Sequence, residues 1–452
     1  MKKQVVDIWI VDPMKRFMNN STTSGIVLFS SALLALLLSN SPWAVTFHHL
    51  WETEFFIGFG DFSIVKTLHH WINDGLMAIF FFVVGLELKR EIIAGELSSP
   101  RNAILPLVAA MGGMIVPALI YLFFNGTGEA SNGWGIAMAT DIAFALGILY
   151  LLGSKVPISL KIFLTALAIA DDIGAVLVIA FFYTSEIDFV SLSVGAIFLA
   201  LLVSANLIGI RSTLFYGIVG IGGLWTAFLM SGVHATIAAV LAAFTIPANT
   251  RVSESFFTKK IESLLDKFKD IKSTPRSTVT PGQLHVLQDI RNYSKMALTP
   301  LQRLEHGLHP LVAFIIMPIF ALSNAGVSIN SEFWEQLKSP VTYGVMGGLI
   351  LGKVIGVLGF VYLMIKLKWA QLPLGMNNLH MVGVSFLAAI GFTMSLFISE
   401  LAFENEMLVA QAKIGILLAS ILASFIGFHI IRIAGKKSIP VPETPLEDTP
   451  LS

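Results

Sequence analysis

The sequence predicts an all-α polytopic membrane protein with one small β-hairpin, and three observations carry that prediction. Of 452 residues, 55% are hydrophobic and only 13% charged, and the mean hydropathy of +0.78 exceeds what a water-facing surface tolerates. Apolar residues also fall in runs long enough to cross a bilayer as helices, which takes roughly 20 residues each. Finally, Lys and Arg collect in alternate connections, as they do where short loops stay on the cytoplasmic side. The balance of 29 basic and 29 acidic residues gives no electrostatic reason to expect a nucleic-acid partner. With no cysteine, disulfides, thiolate metal sites and cysteine nucleophiles are excluded.

The chain opens with MKKQVVDIWIVDPMKRF, basic and partly apolar, but Asp12 and Pro13 interrupt it and it does not read as a cleaved signal peptide. Apolar runs follow near 23–40, 68–88, 103–124, 133–152, 158–183, 189–209, 213–227 and 231–246, with Met230, Ser231 and Gly232 as a turn between the last two. Four more lie near 308–327, 341–365, 380–401 and 408–431. Basic residues mark the N-terminal segment (Lys2, Lys3, Lys15, Arg16), then Lys89, Arg90 and Arg101, then Lys155, Arg211, Lys366 and Lys368, and finally Arg432, Lys436 and Lys437. The intervening loops carry mainly acid: Glu52, Glu54 and Asp61; Glu129; Glu186 and Asp188; Glu332 and Glu335; Glu400, Glu404 and Glu406. Lys66, Lys338 and Lys413 break the alternation without outweighing their acidic neighbours. The consistent solution is twelve transmembrane helices with both termini cytoplasmic, forming a single membrane domain over 1–435.

Two stretches stand apart from the spans. ETEFFIGFGDFSIVKTL places β-branched and aromatic residues around Gly58 and Gly60, as an extracellular β-hairpin near 52–66 would. Near 250–304 lies a polar and basic insertion in which Phe256, Phe257, Ile261, Leu264, Leu265 and Phe268 recur at helical spacing, the pattern of a cytoplasmic amphipathic helix lying on the membrane or packing on the domain. The tail, 436–452, is Pro-rich and expected to be a disordered cytoplasmic segment.

An ionisable group at bilayer depth costs about 2.5–3.5 kcal/mol on insertion scales, so each one inside a run is a functional candidate. Four stand out: Asp141 in GIAMATDIAFALGIL, Asp171 and Asp172 in TALAIADDIGAVLVIA, and Lys353 in GGLILGKVIGVLGF. No other acid reads as lying so deep. If these charges only paired with one another, the adjacent acids would have a single evident cation, Lys353. Neighbours on a helix point roughly 100° apart, so Asp171 and Asp172 should differ in role: one facing a cavity to ligate a hard cation, the other paired with Lys353. Carboxylates, hydroxyls and backbone carbonyls are the ligands hard cations prefer, and sodium would be served the same way. Two runs also look interrupted, at Thr140 and Asp141 in the fourth and at Gly391, Thr393 and Ser395 in the eleventh. Unwound backbone at that depth is tolerated where it lines a cavity or is buried in protein. The fourth run is the middle of spans 3–5 and the eleventh the middle of spans 10–12, which is the arrangement of an inverted-topology repeat.

Along nearly its whole length the sequence resembles the NhaA sodium/proton antiporters, through WINDGLMAIFFFVVGLELKREI, GGMIVPALIY, GIAMATDIAFALGIL, LTALAIADDIGAVLVIA, SGVHATIAAV, RLEHGLHP, NAGVS and GFTMSLFIS. That family is itself a known instance of inverted repeats with discontinuous helices at the site, so the repeat is part of the resemblance and not independent of it. The resemblance implies twelve helices, with the fourth and eleventh crossing as broken pairs. It implies a homodimer in a bacterial inner membrane, joined through the extracellular hairpin around Glu54 to Val65. Position by position, it implies that Asp172 is the main sodium-binding carboxylate and Asp171 its partner in ion binding and proton exchange. Asp141 and Thr140 would balance charge at the crossing, and Lys353 would pair with Asp171. Glu87, Glu91, Glu305, His306 and His309, with His234, resemble the family's pH-responsive residues.

The implied activity is exchange of cytoplasmic Na+ or Li+ for external H+ by alternating access. It would be electrogenic and pH-regulated, with no cofactor and no enzymatic chemistry. One departure is the 250–304 segment, longer than in the short-loop members and placed beside the sensor residues. Three rival readings fit less well. An intramembrane aspartyl protease would show Gly-x-Gly-Asp, which ADDIGA lacks. A prenyl-transferring enzyme would carry further aspartates at helical spacing on more polar segments, and a channel would lack saturable, proton-coupled flux.

Overall fold

Without water to bond to, a chain in hydrocarbon satisfies its backbone polar groups internally, and the apolar runs accordingly become helices. The computed structural model describes residues 21–59, 62–153, 156–184, 187–271 and 278–437. The basic N-terminal stretch, Lys155, Glu186 and residues 438–452 of the tail expected to be disordered lie outside the described residues. Lys436 and Lys437 of that tail instead end the last helix.

The first run is α1 (Ser21–Ser39), followed by α2 (Ala44–Glu52), a short helix not read from the sequence. Strands β1 (Glu54–Phe59) and β2 (Phe62–Thr67) pair antiparallel in the register Glu54↔Thr67 to Phe59↔Phe62, where the hairpin was expected. Trp71 Nε1 donates to Phe55 O at 2.9 Å, and the two rings meet edge-on, tying the hairpin to the next helix. That helix, α3 (68–94), passes through a π turn at Trp71–Leu76. Pro100 opens α4 (Pro100–Phe124) at a position where its missing N–H is an orphan in any case.

The fourth run is broken into a 3-10 helix (Glu129–Met138), extended residues 139–141, and α5 (Ile142–Leu151). Unbroken α6 (Ile158–Phe182) follows. The Asp188 side chain caps α7 (Phe189–Ile208), which ends at Gly209 with φ +88°. Gly232, at φ +80°, turns the chain from α8 (Thr213–Ser231) toward α9 (Ala235–Thr245), at the turn read from the sequence. Where the sequence suggested one amphipathic helix after Thr250, two form: α10 (Glu254–Asp270), capped by Ser253, and α11 (Pro281–Ala297), opened by a Thr280/Gln283 capping box.

Next, α12 (Pro300–Asn324) begins before the apolar run near 308. α13 (Pro340–Lys366) contains a π turn at Gly348–Gly352, directly before Lys353. The eleventh run is α14 (Asn378–Ala388) and α15 (Phe392–Ala402), bent by 41° at residues between them, and α16 (Glu406–Lys437) closes the described chain.

Among the described residues, nine helices are long and apolar enough to cross a membrane, ten when α14 and α15 count as one bent span. The remaining two expected spans are α9, with 11 residues, and α3, whose last turns carry Glu87, Lys89, Arg90 and Glu91. Large apolar side chains such as Phe123 (85% exposed) and Leu207 (84%) point outward, as lipid contact requires.

The chain forms two compact units, one of residues 1–80, 91–185 and 312–452 and another of 81–90 and 186–311. In the first, α4 and α13 approach through glycines: a Cβ on Gly112 would lie 2.4 Å from Gly356 O, and one on Gly352 would lie 2.5 Å from Pro117 Cα. Such small residues let helix backbones touch where no hydrophobic force separates helix from lipid. In the second, Leu86, Leu202, Leu224, Phe228, Ala243 and Leu301 make one apolar cluster. Leu264 and Val286 are the buried apolar residues of α10 and α11, and Phe256 of α10 meets Tyr293 of α11 at 6.2 Å.

Candidate ion-binding site at the two helix breaks

Asp171 and Asp172 are both buried, 1% and 2% exposed, although they point about 100° apart. The reason is local: Ala166, Leu167, Ala168, Ile169 and Ala170 before them are buried too, so this stretch of α6 is enclosed on every side. Small residues permit the enclosure. At Gly174 a Cβ would sit 2.0 Å from Met114 Sδ of α4.

Lys353 reaches this point from α13, fully buried, with Nζ 2.5 Å from Asp171 Oδ2. Its stem passes Gly113 of α4, where a Cβ would lie 3.4 Å from Lys353 Cδ and 3.5 Å from Nζ. The spacing argument left open which acid pairs with the lysine, and the geometry assigns Asp171. The same Oδ2 lies 2.7 Å from Thr140 Oγ1, which is also 2.7 Å from Ala388 O. A hydroxyl has one proton and cannot serve both acceptors at once. When Asp171 is a carboxylate the two acceptors compete for it. When Asp171 is protonated it can donate to Thr140, leaving the threonine free for Ala388 O. Asp171 Oδ1 is buried without a hydrogen-bond partner, a vacant acceptor in a place where buried oxygens are ordinarily satisfied.

Asp141 stands where the two breaks meet. Its Oδ1 accepts from Phe144 N at 2.9 Å, capping its own helix α5, while its Oδ2 accepts from Thr393 N at 3.1 Å and from the Thr393 hydroxyl. The carboxylate therefore caps two helix N-termini at once. α15 needs this help because its own cap residue is Gly391, which has no side chain to offer. A negative group there complements the positive ends of both helix dipoles. Asp141 N donates to Ile390 O at 2.6 Å, and Ser395 Oγ donates to Ile136 O at 2.7 Å. Each break thus satisfies backbone groups orphaned in the other.

The 3-10 half of the fourth run is long for its type and is held from outside. Tyr121 donates to Ala130 O at 2.7 Å. Tyr183, just after α6, donates to Asn132 O at 2.7 Å and accepts from Gly135 N at 3.2 Å. Neither tyrosine was singled out from the sequence. The signal available was glycine: a Cβ at Gly133 or Gly135 would collide with these hydroxyls at 2.4 and 2.6 Å.

The residues resembling a pH sensor lie on α3, on α12 and at the start of α9. Arg90 of α3 forms an ion pair with buried Glu305 of α12. Lys89 donates to Phe244 O and Ile246 O, at the carbonyl end of α9, at 2.6 and 2.5 Å. Glu91 Oε2 accepts from Glu96 N at 3.1 Å, and Glu87 lies one turn earlier on α3. His306 and His309 are exposed on α12. His234 occupies the cap position of α9, at the opposite end of that helix from Pro247, whose carbonyl accepts from Leu301 N.

Two further acids are enclosed by the protein. Glu305 is 4% exposed, and Glu400, counted above as a loop acid, lies inside α15 with its side chain 18% exposed and paired to Lys413 of α16 at 2.8 Å. Burial among the acids is therefore not confined to the three aspartates. The available signal was that apolar residues continue past Glu400 through Leu401, Ala402 and Phe403.

Carboxylate, hydroxyl and carbonyl oxygens converging on unwound backbone form a donor set for a hard cation or for protons. The family model described as Na+/H+ antiporter 1 matches residues 15–431. The chain is 49% identical to the Na(+)/H(+) antiporter NhaA of Koribacter versatilis, over 93% of this chain and 91% of that protein. It is 48% identical to the Na(+)/H(+) antiporter NhaA of Oleidesulfovibrio alaskensis over 94% of each. It is likewise 48% identical to that of Acidithiobacillus ferrooxidans, over 96% of this chain and 100% of the relative. With the match running almost from end to end and the buried acids lying within it, this chain belongs to the NhaA-type sodium/proton antiporter family.

Proposed function

We propose that this chain is a secondary transporter, not an enzyme, that exchanges cytoplasmic Na+ or Li+ for external H+ at Asp171 and Asp172. The observation that carries this reading is the divided environment of Asp171. One of its oxygens is held by Lys353 and Thr140 while the other is buried without a partner, beside a second buried acid. Such a group is poised to gain either a proton or a cation. Asp172 would be the main sodium ligand, with Asp171, Thr140 and carbonyls of the unwound segments completing the shell. Asp141, held by two helix N-termini, would keep its charge throughout and balance the crossing.

Charge counting then gives the sign of the cycle. With both acids ionised and Lys353 charged the site carries −1; sodium brings it to 0, and two protons bring it to +1. Exchanging two protons for one sodium therefore moves net charge, which makes the cycle electrogenic and lets the membrane potential drive it. Rocking of the paired breaks would present the site to alternate faces. Twelve spans with inverted repeats, cytoplasmic termini and a bacterial inner-membrane location accord with this reading. So does a homodimer joined at the hairpin, whose two strands pair only with each other among the described residues. Glu87, Glu91, Glu305, His306 and His309, with His234, are the proposed pH-responsive groups. In everted vesicles, Asp172→Asn abolishes sodium-dependent proton release; exchange that persists in that variant refutes the assignment.

A further inference from the structure

The two helices of the insertion pack on each other and leave α11 with an exposed face that mixes leucine with arginine and lysine. The Phe256 ring of α10 meets Tyr293 of α11, Lys260 Nζ lies 4–6 Å above the same ring at 5.3 Å from its centre, and a Cβ on Gly282 would lie 3.4 Å from Ile271 Cδ1. At about 100° per residue, Leu284, Leu287, Arg291 and Lys295 fall within an arc of about 80°, whose centre points about 140° from buried Val286 and about 160° from Tyr293. Leu284, Leu287 and, just past the helix, Leu298 are exposed, as are Arg291 and Lys295. Asp289, the acid of α11, points about 160° from the centre of that arc and lies 3.8 Å from His285.

The outer side of α10 is of another kind. Glu262, Asp266, Asp270, Lys259 and Lys269 point about 120–160° from buried Leu264, all are exposed, and no large apolar side chain stands among them. That side suits water, whereas leucines beside basic groups suit a boundary between apolar tails and anionic headgroups. The chain also brings α11 to such a boundary. Two residues separate it from α12, a membrane-capable helix, and Leu301 N at the start of α12 donates to Pro247 O, two residues past α9. Arg251 N donates to Met296 O in the last turn of α11, and Arg211, just past membrane-capable α7, donates to Asn249 O at 2.6 Å. The end of α11 that carries Arg291 and Lys295 is therefore tied to the ends of three helices of the membrane unit.

We propose that the Leu284, Leu287, Arg291 and Lys295 face of α11 docks on the adjoining membrane leaflet and binds anionic lipid headgroups, with α10 as its water-facing cover. The leucines enter the headgroup boundary and the two basic side chains meet lipid phosphates. Docking requires nothing of the exchange chemistry.

The test uses the full chain in vesicles of phosphatidylcholine alone or mixed equally with phosphatidylglycerol. Because the chain has no cysteine, Gln288→Cys at the edge of the α11 face and Glu262→Cys on the outer side of α10 each accept one environment-sensitive fluorophore. In the mixed vesicles the label at residue 288 shifts to the blue and is quenched by a spin-labelled lipid, while the label at residue 262 stays wet. A basic residue at an anionic surface is worth about fivefold, so Arg291→Gln/Lys295→Gln lowers the ratio of docked to undocked hairpin roughly thirtyfold. Phosphatidylcholine alone weakens docking in the same sense, as does 1 M salt, where the screening length falls to about 3 Å. Lipid docking is overturned if the label at residue 288 is quenched equally in both lipids, ignores the double variant, or is quenched less than the label at residue 262. A label that stays wet in vesicles but is shielded in native membranes identifies an acidic protein on this face and likewise overturns it.

Discussion

Replacing Lys353 with methionine is the sharpest probe of the buried site, because it deletes the charge and keeps nearly all of the volume. Lys353 is fully buried and its Nζ is 2.5 Å from Asp171 Oδ2. Without it, Asp171 keeps only the Thr140 hydroxyl, whose proton Ala388 O also claims, while Oδ1 already lacks a partner. Removing one member of a buried ion pair costs about 3–5 kcal/mol, chiefly through the charge left behind. A flexible methionine limits any packing loss to under about 1.5 kcal/mol. Asp171→Asn strands the ammonium in the same way. In the double variant Asp171→Asn/Lys353→Met no charge remains unpaired, so most of the loss returns. The assay is thermal unfolding in detergent at pH 8 without sodium, followed by tryptophan fluorescence. A double variant whose loss equals the sum of the two single losses would refute the pairing argument.

Thr393→Val removes a hydroxyl donor to Asp141 and leaves the backbone donor in place; a loss of about 1.5–3 kcal/mol, the range for bonds to charged groups, should appear as a lower melting temperature. Gly112→Ala drives a Cβ to 2.4 Å from Gly356 O and should destabilise by about 1–3 kcal/mol, whereas Gly359→Ala, with nothing within 4 Å, leaves stability unchanged or improved. Hydrogen bonds from the Ser191 hydroxyl and from the amides of Ser191 and Val190 hold the exposed Asp188 carboxyl below its usual value of 3.8. A depressed folded value means that its contribution is complete above 3.8 and is lost as pH falls through the lower value; Asp188→Asn should therefore lower the melting temperature slightly at pH 7, with the difference from wild type vanishing at the acid end.

Span positions were legible because the bilayer sets a length that an apolar run must meet, and Asp141, Asp171, Asp172 and Lys353 were legible because charge at that depth is costly. Azimuth was not. Spacing along α6 says that neighbouring acids diverge, but only the packing of α13 against α4, through Gly112, Gly352 and Gly356, decides that Lys353 meets Asp171. Glu400 escaped because it stands four residues before other acids of a loop, and sequence distance to a loop does not report burial. The second helix of the insertion is marked by Thr280, Pro281 and Gln283, which spell a helix start, whereas the six apolar residues at helical spacing all fall in the first. Tyr121 and Tyr183 act through hydroxyls aimed at backbone carbonyls, and a contact with backbone leaves no pattern in the side chains it serves.

The hydrogen bonds at the site divide unevenly, and the division bears on how such a site could move. Between the two breaks run Asp141 N to Ile390 O, Thr393 N and hydroxyl to Asp141, and Ser395 to Ile136 O. All are buried, and separating α5 from α15 would strand a carboxylate together with several backbone groups. The contacts from the breaks toward α6 are of another kind. Thr140 reaches Asp171 with a proton that Ala388 O can take instead, so that contact can be released without leaving the threonine unsatisfied. The paired breaks should therefore hold together while their attachment to the acid-bearing helix follows the protonation of Asp171. In the exchange proposed above, that would make the loading of one carboxyl the event that loosens or fixes the element which has to move.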